Sequence, residues 1–153
     1  MGVGVSIKNK KKFCEAAKNN VNAMLEQKLA LIRTAAFAAY RDIIVESPVD
    51  TGRFRSNWMI SVGNPDHSTR QTTGYEKGQA IDSAETARAN QALAELGASE
   101  LQATLWISNS LPYAQRLENA HSQQNKHFVA RAKRNLAMRL KAIDNIFVEE
   151  GQR

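Results

Sequence analysis

Ser47-Pro48-Val49-Asp50-Thr51-Gly52-Arg53-Phe54-Arg55-Ser56-Asn57-Trp58-Met59-Ile60-Ser61-Val62 is where the periodicity of the chain changes, and that change decides the fold class. Upstream, Phe13, Ala17, Val21, Met24, Leu25, Ile32, Ala36, Ala39, Tyr40 and Ile43 recur at helical steps, which predicts a long amphipathic helix over 13–45 with one buried stripe. Pro48 stops it, because its ring disfavours helical geometry at Ser47 and it has no N–H to donate. Val49 to Gly52 then predicts a turn, in which the Asp50 side chain can accept backbone N–H groups and Gly52 can take a positive φ. Downstream, Trp58, Ile60 and Val62 alternate with Met59 and Ser61, the period of a strand with one face buried, and Gly63-Asn64-Pro65 ends it.

The same two periods organise the rest. Asp66 to Gln79 holds almost nothing that could be buried, so residues 64–81 are expected to form a mobile surface loop. Asp82 and Glu85 have the spacing of a capping pair, and Ala84, Ala87, Ala92, Leu93 and Leu96 predict a short peripheral helix that Gly97 can end. Leu101, Ala103, Leu105 and Ile107 alternate with polar or exposed positions, a second strand expected to pair antiparallel with the first. A short helix over Tyr113 to Asn119 follows. Val129, Ala132, Leu136, Leu140, Ile143 and Phe147 then define a final amphipathic helix. The expected fold is α+β: a long N-terminal helix and a C-terminal helix packed on a small antiparallel sheet, with a mobile insertion between the strands. Two strands make a marginal sheet, so further strands, from this chain or a neighbouring subunit, would complete it.

A chain of 153 residues with 42% hydrophobic content suits one domain, here 1–153. Aromatics are only 7%, so the core must draw on aliphatic side chains carried by helices. No apolar run is long enough to cross a bilayer or resembles a secretory signal, so no membrane partner is expected and a cytoplasm is the expected site of synthesis. Cys14 is the single cysteine and has no sulfur partner for a disulfide or a thiolate metal site; a helical position as a small hydrophobe is expected. The net charge of +6 is concentrated at the two ends. Lys8, Lys10, Lys11 and Lys12 mark a flexible basic arm over 1–12, and Lys126, Arg131, Lys133, Arg134, Arg139 and Lys141 load the last helix. Solvated helix faces account for this pattern, and nonspecific DNA binding is the alternative: a DNA contact is possible but not predicted.

Chemistry is hard to find. Asp50-Thr51-Gly52 matches the triplet of aspartic proteases, in which two carboxylates share a proton. Here the triplet follows a helix and a proline, and Arg53 beside it would hold Asp50 ionised, so a turn-forming role is expected and protease is a remote alternative. His67, His121 and His127 lack metal-ligand spacing, although His121 and His127 could converge with Glu118. There is no phosphate loop, nucleophile elbow, zinc-finger spacing or basic–aromatic interleaving. No enzyme, metal or cofactor is expected.

Two segments carry a family resemblance. Ser47 to Trp58 resembles the "P-V-D-T-G-x-L/F-R-x-S/N" element of the phage tail-component family, which includes minor tail proteins of the Z type and neck or tail-completion proteins. Asn109-Ser110-Leu111-Pro112-Tyr113-Ala114-Gln115-Arg116-Leu117-Glu118-Asn119-Ala120-His121-Ser122 resembles its second element, "N-x-x-P-Y-A-x-x-L-E-x-G-x-S". Ala120 stands where the family has glycine, and Gln123 to His127 replace a turn rich in proline and glycine. The resemblance implies a non-enzymatic structural protein of the virion tail. It would form a ring, hexameric by analogy, with the tail tube or tail terminator and the head connector as partners. Asp50, Thr51, Gly52, Arg53, Arg55, Tyr113, Arg116 and Glu118 are the turn and subunit-interface candidates on that reading.

Overall fold

The computed structural model of the chain describes residues 9–97, 103–121 and 127–151. Residues 1–8 of the expected basic arm, and Leu101 of the expected second strand, lie outside them. Helix α1 runs Lys10–Glu46, so Lys10, Lys11 and Lys12 are already helical rather than part of an arm. Its 37 residues make a rod of about 55 Å. Ser47 closes it: the Ser47 hydroxyl donates to the Ile43 carbonyl at 2.7 Å, and its N–H reaches Ile44.

After the Pro48 turn comes a four-residue helix α2 (Arg53–Ser56), then strand β1 (Met59–Val62), helix α3 (Ser83–Ala94) and strand β2 (Leu105–Ser108). A short turn α4 (Ala114–Arg116) runs into a π-helical turn over Leu117–His121, and α5 (Phe128–Gly151) completes the order. β1 and β2 pair antiparallel, Ile60 opposite Ile107 and Ser61 opposite Trp106. The fold is α+β, helix-rich, with α1 and α5 packed on a two-stranded sheet. No helix among the described residues is long and apolar enough to cross a membrane.

α5 lies antiparallel to α1, tied by ion pairs that run in opposite directions along the two rods: Glu46 with Arg131, Asp42 with Arg139 at 3.3 Å, and Lys28 with Asp144 at 2.8 Å. Two of the basic residues expected to be solvated on the last helix are therefore paired within the chain. Because Lys28 already meets Asp144, near the end of α5, the first turns of α1 outrun their partner. Burial on α1 starts only at Leu29, and Phe13 is 63% exposed, so the expected buried stripe is open to solvent from Phe13 to Met24. Cys14 lies on this extension, exposed.

The core gathers Tyr40, Ile43 and Ile44 of α1, Phe54, Trp58, Ile60, Ala89 and Leu93 of α3, Leu111, and Phe128 and Ala132 of α5. Phe54, Trp58 and Phe128 meet edge to face, with ring centroids 5.7–6.1 Å apart. α3 is central rather than peripheral: Ala89 is fully buried, and its small side chain admits the close approach of α3 to β1. The expected capping box is present, Glu85 N–H donating to Asp82 and Asp82 N–H to Glu85.

Residues 65–82 contain no helix or strand, yet the segment is anchored along its length. Arg70 N–H donates to Asn57 Oδ1, Asn57 Nδ2 to the Arg70 carbonyl, Ser56 Oγ to the Thr72 carbonyl and Gly74 N–H to the Thr51 carbonyl, all within 2.6–2.9 Å. The surface loop expected over 64–81 is thus tied to the corner by these contacts. The segment also covers a side of β1: Met59, on the face expected to be wet, is buried and shares a recess with Asp66 and Arg70.

Candidate functional site at the Gly52 corner

Gly52 fixes the corner. It has φ +86° and precedes α2, and a Cβ there would sit 2.7 Å from Tyr75 N and 3.0 Å from Tyr75 Cβ. Only glycine fits both the backbone and the packed segment above it. Asp50 and Thr51 are exposed at the apex, where the Thr51 carbonyl accepts Gly74 N–H at 2.8 Å. Arg53 is half-buried, and among the described residues its Nε has no hydrogen-bond partner.

Arg55 lies at the centre of the corner, with a side-chain exposure of 0%. Its Nε and Nη2 reach Glu85 Oε1 and Oε2 at 3.3 and 3.0 Å, while Nη1 and Nη2 donate to the carbonyls of Gln79 and Ala80. The guanidinium also stacks over Tyr75 at 4.6 Å. All three guanidinium nitrogens are used, as a buried cation requires. The expectation of Arg55 at a subunit contact is therefore corrected: it is an internal clamp joining α2, the anchored segment and α3.

The second motif meets the first here. Asn109 Nδ2 donates to the Phe54 carbonyl at 2.9 Å, and the Tyr113 ring packs 6.1 Å from Phe54. Tyr113 is half-buried in the core edge, and Arg116 is exposed on α4. Glu118 has turned inward: its two carboxylate oxygens accept the N–H groups of Val129 and Ala130, each at 3.1 Å, and its carbonyl accepts His127 N–H. These are first-turn donors of α5 that have no partner inside the helix, and the carboxylate faces the positive end of the helix dipole. Glu118 thus caps α5, so of the charged candidates it and Arg55 serve the fold, Arg53 is half-buried, and Asp50 and Arg116 are exposed, as is Thr51.

Four residues that position this corner were not singled out in the sequence: Ser47, Asn57, Glu85 as an ion-pair partner, and Asn109. Ser47 Oγ accepts Trp58 Nε1 at 2.8 Å, and Asn57 is fully buried, bridging Arg53 and Arg70. Both lie inside the first motif and Asn109 opens the second, so the motif boundaries carried the signal. Among the described residues no group of His, Cys, Asp and Glu side chains is arranged to hold a metal.

No family model, curated protein or solved structure matches the chain.

Proposed function

We propose that the chain is a structural virion subunit of a long-tailed bacteriophage, completing the tail at its head-proximal end and taking part in head–tail joining. It works by association, with copies of itself in a ring and with the tail tube or terminator protein and the head connector, and catalyses no reaction. The observation that carries the proposal is the meeting of the two family-like segments at one corner, through Asn109 on Phe54 and Tyr113 beside Phe54. Residues of the two motifs that are far apart in sequence serve one local structure, which is what a shared architecture requires. Assembly is further supported by apolar surface that none of the described residues covers. Phe13, Val21 and Met24 line the free part of α1, and an apolar groove of about 540 Å³ opens between α1, α5 and β2.

Electron microscopy of particles produced without this protein tests the proposal. Filled heads separate from tails, or tails with aberrant ends, are the expected result. Normal virions accompanied by defective replication would overturn it in favour of a DNA-binding accessory role.

A further inference from the structure

Beside the Arg55 clamp, one helical turn along α3 from Glu85, a recess of about 260 Å³ is floored by Tyr40, Trp58, Ile60 and Ala92 and walled by Arg70 and Arg88. Neither arginine forms an ion pair among the described residues. Among the described residues Arg88 Nε is buried with no hydrogen-bond partner, although the Arg88 side chain also reaches the Tyr40 hydroxyl, and Arg70 spends one N–H on the Ser56 carbonyl at 3.2 Å. The two cations feel one another: burial first, then the charge of Arg88, hold Arg70 below the ordinary guanidinium range. Like charges held together at a half-buried site, with donors to spare, are costly unless an anion joins them.

We propose that Arg70 and Arg88 form a receptor for one small oxyanion group, a carboxylate or a phosphate, presented singly into this recess. The guanidinium fork matches the paired oxygens of either group, and the apolar floor strengthens the contact by excluding water from one side. Gln91, exposed on the rim, offers a further amide. Asp66 and Glu95 also line the recess, and they select against an extended polyanion. Asp66 accepts Ser68 N–H at 2.8 Å and makes no direct ion pair with either arginine, so its charge offsets that of Arg70 only from a distance while it repels a nucleic-acid backbone running across the mouth. The site stands independently of any role in a tail.

Thermal melts and calorimetric titrations of the full chain with sodium phosphate and with sodium acetate, against sodium chloride at equal ionic strength, test this. Phosphate or acetate should stabilise the protein saturably beyond chloride, and whichever prevails tells a phosphate-bearing ligand from an acidic side chain. Gln91→Glu places a competing carboxylate on an exposed position without disturbing the core, and should weaken binding about tenfold. Arg70→Gln should weaken it at least as much; Gln91→Glu decides the matter should the arginine variant fold poorly. Equal melting shifts in all three salts, or unchanged binding in Gln91→Glu, would overturn the proposal. So would Arg70-dependent binding of duplex DNA that excludes phosphate.

Discussion

Arg55 and Glu85 are 30 residues apart in sequence and form a paired-oxygen contact at 3.0 and 3.3 Å with neither side chain exposed by more than 1%. Every oxygen and nitrogen around the pair is used, since Glu85 Oε2 also accepts Asp82 N–H in the capping box. Removing one partner leaves the other charge uncompensated in the interior, at a cost of about 3–5 kcal/mol. Arg55→Met should therefore lower the melting temperature by roughly 10 °C, as followed by circular dichroism. Arg55→Lys should recover little, because an ammonium cannot reach Glu85 and two carbonyls at once.

Gly52 and Gly63 both have positive φ, +86° and +85°, but only Gly52 faces packed backbone. Gly63→Ala meets open space and should cost about 1 kcal/mol of backbone strain. Gly52→Ala adds a collision with Tyr75 that must push the anchored segment off the corner, so its loss should exceed that of Gly63→Ala by more than about 1 kcal/mol in urea unfolding. Equal losses would mean that the segment yields freely.

Local signals were legible and long-range ones were not. The capping box of α3 spans Asp82 to Glu85, the stop at Pro48 acts on its neighbour, and strand alternation is a two-residue rule, so each could be read directly from the chain. Helix α2 is too short for a period to register. Arg55 could not be told from a surface arginine, because its burial depends on Glu85, Gln79 and Ala80 folding around it. Glu118 likewise caps a helix that begins only at Phe128. The Phe13 stripe obeys the helical period and yet is exposed, since periodicity announces a face that can be covered, while the reach of α5 sets how much of it is. At the candidate site the sequence marked both motifs, and packing alone divided their residues between fold and surface.

Glu118 provides a test of that division. Glu118→Ala leaves two first-turn N–H groups of α5 without their acceptor and removes a favourable charge from the helix start, which should cost about 1–2 kcal/mol. Arg116→Ala, two residues away and exposed, should change monomer stability by less than about 0.5 kcal/mol. If Arg116 belongs to a subunit contact, its substitution should instead reduce joining of tails to heads.

The Asp82 carboxyl is held below the usual carboxylate range, chiefly by the Glu85 N–H and further by the Tyr75 hydroxyl, with partial burial opposing. A depressed folded value means that its contribution is present above the unfolded value and is lost as pH falls through the folded one, a window beginning near about pH 4. In urea unfolding between about pH 6 and pH 2, wild type should lose stability in this window more steeply than Asp82→Asn. Parallel curves would show that the cap is not what acid releases.

Cys14 reports on the free part of α1. It lies on a helical extension whose apolar residues Phe13, Val21 and Met24 are exposed as well, and an isolated helix of this length is only marginally stable in water. In the monomer the thiol should react with a disulfide reagent at close to the rate of a free cysteine peptide. If the extension docks on assembly, the rate should fall by more than about tenfold in assembled particles, since a covered thiol is reached only when the contact opens. Phe13→Glu should leave the melting temperature of the monomer within about 2 °C while blocking incorporation into particles. Incorporation at wild-type levels, with Cys14 as reactive in the particle as in the monomer, would show that the extension plays no part in assembly.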